Sequence, residues 1–563
     1  MSESDRPGAG SRRVSPLVAG VVVAAIAALA LTLMQHQPVA PVSPPQAVRA
    51  ALRAPRVAQM LAGSHWNRVV AGPIDPGLEQ VNFYAGDRVL AAVALRAGRT
   101  ETQAINYRQM TVPYGDWIAY QPAVLAALCA LFVLMAGVSP WRRLRNLDVA
   151  AALSLLLSVL LFQHRYVDTS VLAAVPGLTY LLVRCAGRAL GAEREPAPST
   201  PLLAVITPGA DPAQRVRWLR VLFVVLALVF LMVGVSSFDA VDVLYAVMEG
   251  ATKLVHGVLP YGHMPPGIIH GDTYPILSYV LYTPLALFAP VSNVWDSVDG
   301  GLAVTVLAAV VGAWAVFRTT AGARPRARAP RPVEAEEAGL RAALAWLAFP
   351  PLLITVSTGT TDVVLAAMLL VAVLLWRRPA ACSAMLALAG WFKLAPFALL
   401  TVCLAPLSGR RLAGALAAIV AVSLPLIGVL VALGGVHGIS DMVHAIAYQF
   451  SRGSIQSVWG AVHDATLQPI AQGAVLGLVG AAVVKLRQEP HLARDRARMA
   501  ALSAAILIGL QLTAEYWAFL YLVWVVPLAG VSLLADSGAV VAQTEPAHAA
   551  VGRSPETAPA LAA

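Results

Sequence analysis

The chain has 563 residues, of which 58% are hydrophobic and 12% charged, and its mean hydropathy is +0.71. These values exclude a water-soluble globular domain and a disordered chain, and they identify a multi-spanning membrane protein. The net charge of +10 would suit nucleic acid in a soluble chain. Here the arginines gather at the ends of apolar runs, where they orient a chain across a lipid bilayer, so no nucleic-acid partner is expected.

The four cysteines, Cys129, Cys185, Cys382 and Cys403, fall inside apolar runs or at their edges without CxxC spacing. Neither a disulfide nor a zinc site is expected from them. Lysine occurs only at Lys253, Lys393 and Lys485, against abundant arginine and alanine, a bias typical of GC-rich bacterial coding.

Arg6, Arg12 and Arg13 precede the first apolar run, 17–34, which places the N-terminus in the cytoplasm. The run is too long for a cleaved signal and lacks a convincing AxA site, so residues 1–35 read as a tail and a first anchor. Residues 36–117 follow as a small extracytoplasmic α+β module. They begin with the linker QPVAPVSPPQ and the helix-like AVRAALRAPRVAQMLAG, then alternate apolar and polar residues through NRVVAG, QVNFYAG and DRVLAAVAL. The helix-then-hairpin order is similar to PepSY-type modules. Runs at 119–138, 149–163 and 169–187 supply three further crossings within 118–190. Residues 191–217, flanked by Arg188 and carrying Arg194, Arg215 and Arg217, read as a cytoplasmic linker.

The run 218–235 must then travel outward, so Asp239 and Asp242 emerge on the extracytoplasmic face. The Pro-punctuated segment 275–290 is predicted to be interfacial or re-entrant, because a crossing there would put the basic cluster at 318–332 outside. Residues 341–357 exit at Ser-Thr-Gly-Thr-Thr-Asp, 362–376 returns, and 380–408 forms a short hairpin with WFKLAP at its apex. Further runs at 412–433, 469–486, 499–514 and 517–535 complete a membrane domain over 218–535. The result is an all-α multi-spanning fold of about fourteen crossings, each needing roughly 20 apolar residues. Both termini lie in the cytoplasm of a plasma-membrane protein, and 536–563 is a disordered tail rich in Ala and Pro.

From position 239, Asp239, Asp242, Tyr245, Glu249, Lys253 and His256 recur at spacings of three and four. Val243, Leu244, Val247, Ala251, Leu254 and Val255 fill the opposite face. This pattern predicts an amphipathic helix along the membrane surface with its polar side toward the outer medium. Asp239 and Asp242 would share a face, close enough for one to raise the other's pKa. Taken alone, both acids are better explained as favourable charges at a helix start.

The stretches DVLYAVMEGATKLVHGVLPY, TYPILSYVLYTPLALF, LAFPPLLITVSTGTTDVVLAAMLL and RRPAACSAMLALAGWFKLAPFALL, in this order, resemble the GT-C glycosyltransferases of the family-87 type. Weaker similarity through SIQSVWGAV and AEYWAFLYLVWVVPL extends the resemblance over about 215–535 and leaves 1–200 outside it. The resemblance implies transfer of a sugar, mannose or arabinose for an actinobacterial envelope, from a polyprenyl-phosphate carrier to a glycolipid or polysaccharide acceptor on the outer face. It also implies inversion by an aspartate general base, for which Asp242 has the family spacing to Gly257 and Tyr261 and Asp239 is the runner-up. Candidates for the carrier phosphate are Lys393, Arg452 and Lys253. Lys393 leads them because a lysine between LALAGWF and LAPFALL is costly unless it binds something or snorkels. Candidates for the sugar or acceptor are Tyr245, Tyr261, His263, Asp272, Tyr274, Asp362, Glu515 and Tyr516, with Asp362 alternatively orienting Lys393 or capping a helix. Where the family places paired histidines near its last span, this chain has Glu515 and Tyr516.

His256, His263 and His270 are spaced by sevens, but Pro260, Pro265 and Pro266 interrupt them, so they do not share one helical face. They read as neutral imidazoles in a polar groove, and no metal or other cofactor is expected. Two other classes fit the composition. A lipid-linked sugar flippase or secondary transporter would show internal repeats and mid-membrane charges, which this sequence lacks. A scaffold or sensor of envelope assembly would use 36–117 for recognition but leave the polar stripe at 239–256 without a role. Binding of an envelope-biosynthesis partner through 36–117 is compatible with enzymatic activity.

Overall fold

The computed structural model describes residues 15–35, 44–75, 78–96, 102–106, 118–137, 144–191, 211–236, 240–265, 268, 270–292, 296–322, 332–450 and 456–534. Asp239, Arg452 and the tail at 536–563 lie outside the described residues.

Helix α1 (Pro16–Gln35) leads to a module of two short helices, α2 (Pro44–Arg53) and α3 (Pro55–Leu61). Strands β1 (Arg68–Asp75), β2 (Leu78–Ala85), β3 (Arg88–Arg96) and β4 (Thr102–Asn106) follow as an antiparallel sheet in sequential order. Strand alternation decides what each face does. Val81, Phe83, Ala91 and Val93 pack under Ala47, Ala51, Val57 and Met60 of α2 and α3. On the other face Tyr84, Val89 and Ala92 meet Phe162 and Val167 of the membrane domain. The polar residues of β2 are therefore buried rather than solvated, and Gln80 and Tyr84 find partners across the interface. Gln80 Nε2 donates to the Gly460 carbonyl at 3.4 Å, and Asn82 Nδ2 donates to the Tyr84 hydroxyl oxygen at 3.2 Å. The Tyr84 hydroxyl in turn donates to Asp168 Oδ2. The module is docked on its own membrane helices.

The membrane domain runs through α4 (Pro122–Ala136), α5 (Leu144–Gln163), α6 (Val167–Leu190), α7 (Pro212–Val235) and α8 (Asp242–Val255). Two one-turn helices, Leu277–Val280 and Thr283–Ala286, precede α9 (Asp299–Ala321). Helices α10 (Pro332–Leu347), α11 (Pro350–Ser357), α12 (Asp362–Leu374), α13 (Pro379–Phe392) and α14 (Phe397–Leu404) come next. The described chain ends with α15 (Gly409–Gly434), α16 (His437–Ala447), α17 (Val458–Val462), α18 (Gln468–Gln488), α19 (Arg496–Thr513) and α20 (Leu522–Ala529).

Seven of these helices, α1, α5, α6, α7, α9, α15 and α18, are long and apolar enough to cross a membrane. The pair α10 and α11, bent by 55° where Pro350 and Pro351 interrupt the run, makes up to eight. Against the fourteen crossings expected, Pro122–Ala136, Asp362–Leu374, Pro379–Phe392 and Phe519–Leu534 are apolar helices of only 10–17 residues. Proline and glycine divide them, so sequence hydropathy alone overstates their length.

Helix α1 packs along α18 through small residues. A Cβ on Gly477 would lie 2.5 Å from the Gly20 carbonyl oxygen and 2.6 Å from the Ala24 Cβ, so only glycine permits this approach. Close backbone packing of this kind replaces the hydrophobic drive that lipid does not provide. At the end of the bundle where α7 starts, charges pair internally: Arg215 with Glu337 at 3.0 Å and Arg220 with Glu336 at 2.5 Å.

One expectation is corrected. Helix α8 does not lie on the surface with a polar side open to the medium. Every residue from Leu244 to Thr252 is buried, including Tyr245 and Glu249. The irregular segment after α8 folds back over it: the Tyr279 ring packs on Gly250, and the Val291 N–H donates to Thr252 Oγ1 at 3.0 Å. Of the polar stripe at three and four, Tyr245 and Glu249 therefore face protein, while Asp242 at one end and His256 at the other are exposed and Lys253 is half-buried.

Candidate active site

The first turn of α8 is held by a contact across the bundle, in which the Val241 N–H donates to the Thr358 carbonyl at 2.9 Å. Thr358 begins the turn between α11 and α12, where Gly359 has φ +61 and so occupies the left-handed region that favours glycine. This turn delivers two carboxylates to one neighbourhood. Asp242 is the first residue of α8 and is exposed, with Oδ1 accepting from the Val243 N–H at 2.8 Å. Asp362 is the first residue of α12 and is buried.

Asp362 is surrounded by donors. Lys393 Nζ lies 2.6 Å from Oδ1, Trp524 Nε1 donates to the same oxygen at 2.9 Å, and the Thr360 hydroxyl donates to Oδ2 at 2.5 Å. A buried carboxylate is tolerated only when its lone pairs are occupied in this way. Lys393 ends α13 in an extended conformation, with its ammonium 5.2 Å and 5.3 Å from the ring centroids of Tyr521 and Trp524. Those two rings stack at 4.3 Å. The ammonium thus pairs with one carboxylate and lies within cation–π range of two stacked rings.

A cavity of about 1270 Å³ unites these groups. Of the residues singled out from sequence, it is lined by Asp242, Tyr274, Asp362, Lys393, Glu515 and Tyr516. Tyr245, Lys253, Tyr261, His263 and Asp272 do not line it. Lys253 instead pairs with Glu249 at 3.1 Å, one helical turn away. The Tyr261 hydroxyl donates to the Tyr274 carbonyl at 3.1 Å, and burial, with the charge of Asp272, holds that phenol well above its ordinary pKa. Asp272 Oδ2 accepts from the Gly262 N–H at 2.9 Å, and His263 is exposed. These residues shape the loop beneath the site rather than its surface.

His256 Nδ1 lies 2.9 Å from the Thr252 carbonyl at the end of α8, whereas His270 stacks on Tyr448 with centroids 4.2 Å apart. His270, read from sequence as an imidazole in a polar groove, lines the cavity, and so do Tyr448, Gln449, Gln472, Gln511, Tyr521 and Trp524, which were not singled out from sequence. The aromatic run AEYWAFLYLVW was the available signal for the last two. Several of the amides are fixed: Gln449 Nε2 donates to Thr273 Oγ1 at 2.5 Å and Gln511 Nε2 to the Tyr521 carbonyl at 3.1 Å. Val475, Leu476, Leu507 and Leu510 form an apolar side of the same cavity. An exposed carboxylate, an immobilised cation and an apolar wall in one space suit a reaction between an amphiphilic anion and a polar acceptor.

No curated protein matches the chain. Residues 273–522 match the model of glycosyltransferase family 87, a stretch that includes Tyr274, Asp362, Lys393, Glu515 and Tyr516 and begins after Asp242 and the whole N-terminal module. This match, over the stretch that carries much of the cavity lining, supports a GT-C-type glycosyltransferase of family 87.

Proposed function

We propose that the protein transfers a sugar from a polyprenyl-phosphate donor to a glycolipid or polysaccharide acceptor at the extracytoplasmic face of the plasma membrane. Asp242 serves as general base. The acceptor hydroxyl attacks the anomeric carbon as its proton passes to the Asp242 carboxylate. The bond from that carbon to the phosphate oxygen breaks with inversion, and its electron pair leaves on the phosphate, which needs no proton. The observation that carries the reading is the exposure of Asp242 within the cavity that also contains the anchored Lys393 ammonium. The outer-face assignment is supported by the arginines at the start of α7, which lie at the opposite end of that helix from Asp242. Mannose and arabinose are the sugars favoured by the resemblance.

The test incubates membranes carrying wild type, Asp242→Asn or Asp239→Asn with radiolabelled polyprenyl-phosphate mannose or arabinose and follows transfer into lipid or polymer. Asp242→Asn should lower transfer about 10²–10⁴-fold, the range for losing a general base. Wild-type transfer by a normally inserted Asp242→Asn protein would remove Asp242 from the mechanism. Cysteine labelling at positions 256–263 from outside the cell tests the sidedness.

A further inference from the structure

We propose that the N-terminal module is a wall of the substrate cavity and that its Arg56 binds the phosphate of an isoprenoid lipid there. This deepens the donor reading above and rests on it for the identity of the lipid. The cavity is lined not only by the membrane domain but by Leu31 of α1, Arg56 of α3 and Leu78, Ala94 and Ala104 of the sheet. All of these lie before the stretch that matches family 87. The wall is fixed in place. Gln80 and Tyr84 bond to the membrane domain, and α1 lies against α18 at backbone contact distance.

The charges of the cavity then decide what Arg56 does. Among the described residues that line it, the acids are Asp242, Asp362 and Glu515 and the permanent cations are Arg56 and Lys393. Lys393 is bound to Asp362 at 2.6 Å. A phosphate entering this space meets an excess of carboxylate that Lys393 alone does not offset. Arg56 is exposed and, among the described residues, forms no ion pair. Its guanidinium offers a planar fork of donors that matches phosphate oxygens. The apolar residues beside it suit a hydrocarbon tail rather than a polar one. An anion carried on an isoprenoid chain satisfies both parts of the lining at once.

The test measures binding to the full chain in detergent by intrinsic tryptophan fluorescence, with a polyprenyl monophosphate, the corresponding polyprenol and inorganic phosphate as probes. Wild type should bind the polyprenyl monophosphate and neither of the others at the same concentration. Arg56→Gln should weaken that binding about tenfold or more, as expected for hydrogen bonds between charged groups. Arg56→Lys should fall between the two, and Arg53→Gln, an exposed arginine outside the cavity, should bind as wild type. Equal affinity of Arg56→Gln and wild type overturns the proposal, as does equal affinity for polyprenol or for inorganic phosphate. Because the readout is binding, Arg56-dependent affinity without any sugar transfer would sink the transfer reading and leave this one standing.

Discussion

Asp362 and Lys393, 31 residues apart in sequence, form an ion pair with 2.6 Å between Oδ1 and Nζ, and their side chains are 1% and 11% exposed. The pair joins the start of α12 to the end of α13, so it fixes the hairpin apex that points Lys393 into the cavity. In a chain of this composition such a pair is costly to form and more costly to break, because removing one partner strands the other's charge. Asp362→Ala should therefore destabilise the protein by about 3–5 kcal/mol, the usual cost of an orphaned buried charge. Adding Lys393→Met should restore most of that stability while transfer stays abolished. Thermal unfolding in detergent, read beside the transfer assay, separates the two effects. Recovery of activity in the double variant would mean that the ammonium has no role with substrate.

Gly250 tests whether the buried placement of α8 matters for Asp242, two turns earlier on the same helix. The Tyr279 ring occupies the space that a Cβ would need, and the Tyr279 hydroxyl is itself tied to the Gly271 carbonyl at 2.8 Å. The ring cannot easily withdraw. Gly250→Ala should cost about 1–3 kcal/mol by overpacking and should lower transfer further than that loss explains, since α8 must shift with its carboxylate. Unchanged kinetics in a less stable protein would show that the first turn is positioned independently, through Val241 and Thr358.

How much of this was legible from sequence depended on whether burial left a mark in local composition. Lys393 could be found because an ammonium between two apolar runs has no inexpensive place to go, and the turn before Asp362 could be found from its glycine. The surface reading of α8 failed because the residues covering it, the one-turn helices at 277–286, have no periodicity of their own. The spacing of Asp242, Tyr245, Glu249 and Lys253 is the same whether the polar face meets water or protein. The module's strands were visible as alternation, but the alternation did not say that Gln80 and Asn82 would be buried and bonded at the docked face. Arg56 gave no signal, since it sits in an ordinary amphipathic helix beside Arg49 and Arg53.

Gly477 provides a test of the module's anchorage. Its packing on Gly20 and Ala24 leaves no room for a side chain. Gly477→Leu should force α1 away from α18 and carry Leu31 out of the cavity wall. Disulfide trapping between cysteines placed at Val23 and Gly480, where an added Cβ would lie 3.3 Å from the Val23 Cβ, should succeed in the otherwise wild-type background and fail in Gly477→Leu. Transfer should fall in parallel with loss of the crosslink. A crosslink that survives would show that the helices can slide apart without losing register.

The docking of the module should also respond to pH, through His463. This residue follows α17 with φ +56 and lies against Gly72 of β1, with Asp168 and, beyond it, Tyr84 and Arg68 as its charged or titratable neighbours. Burial lowers the His463 pKa below its ordinary value of 6.5, against the opposing attraction of Asp168. The docked state therefore holds a neutral imidazole, whereas a released or unfolded module lets it titrate normally. Between the two pKa values the released state binds more protons, so this contribution to docking is complete above 6.5 and declines as pH falls through and below it. Asparagine tolerates the left-handed backbone and does not titrate, so His463→Asn should remove this component without straining the turn. Hydrogen exchange of the β2 amides at pH 7.5 and pH 5.5 is the measurement. Protection should drop more on acidification in wild type than in His463→Asn, and identical profiles would show that the imidazole stays protonated, or stays neutral, in both states.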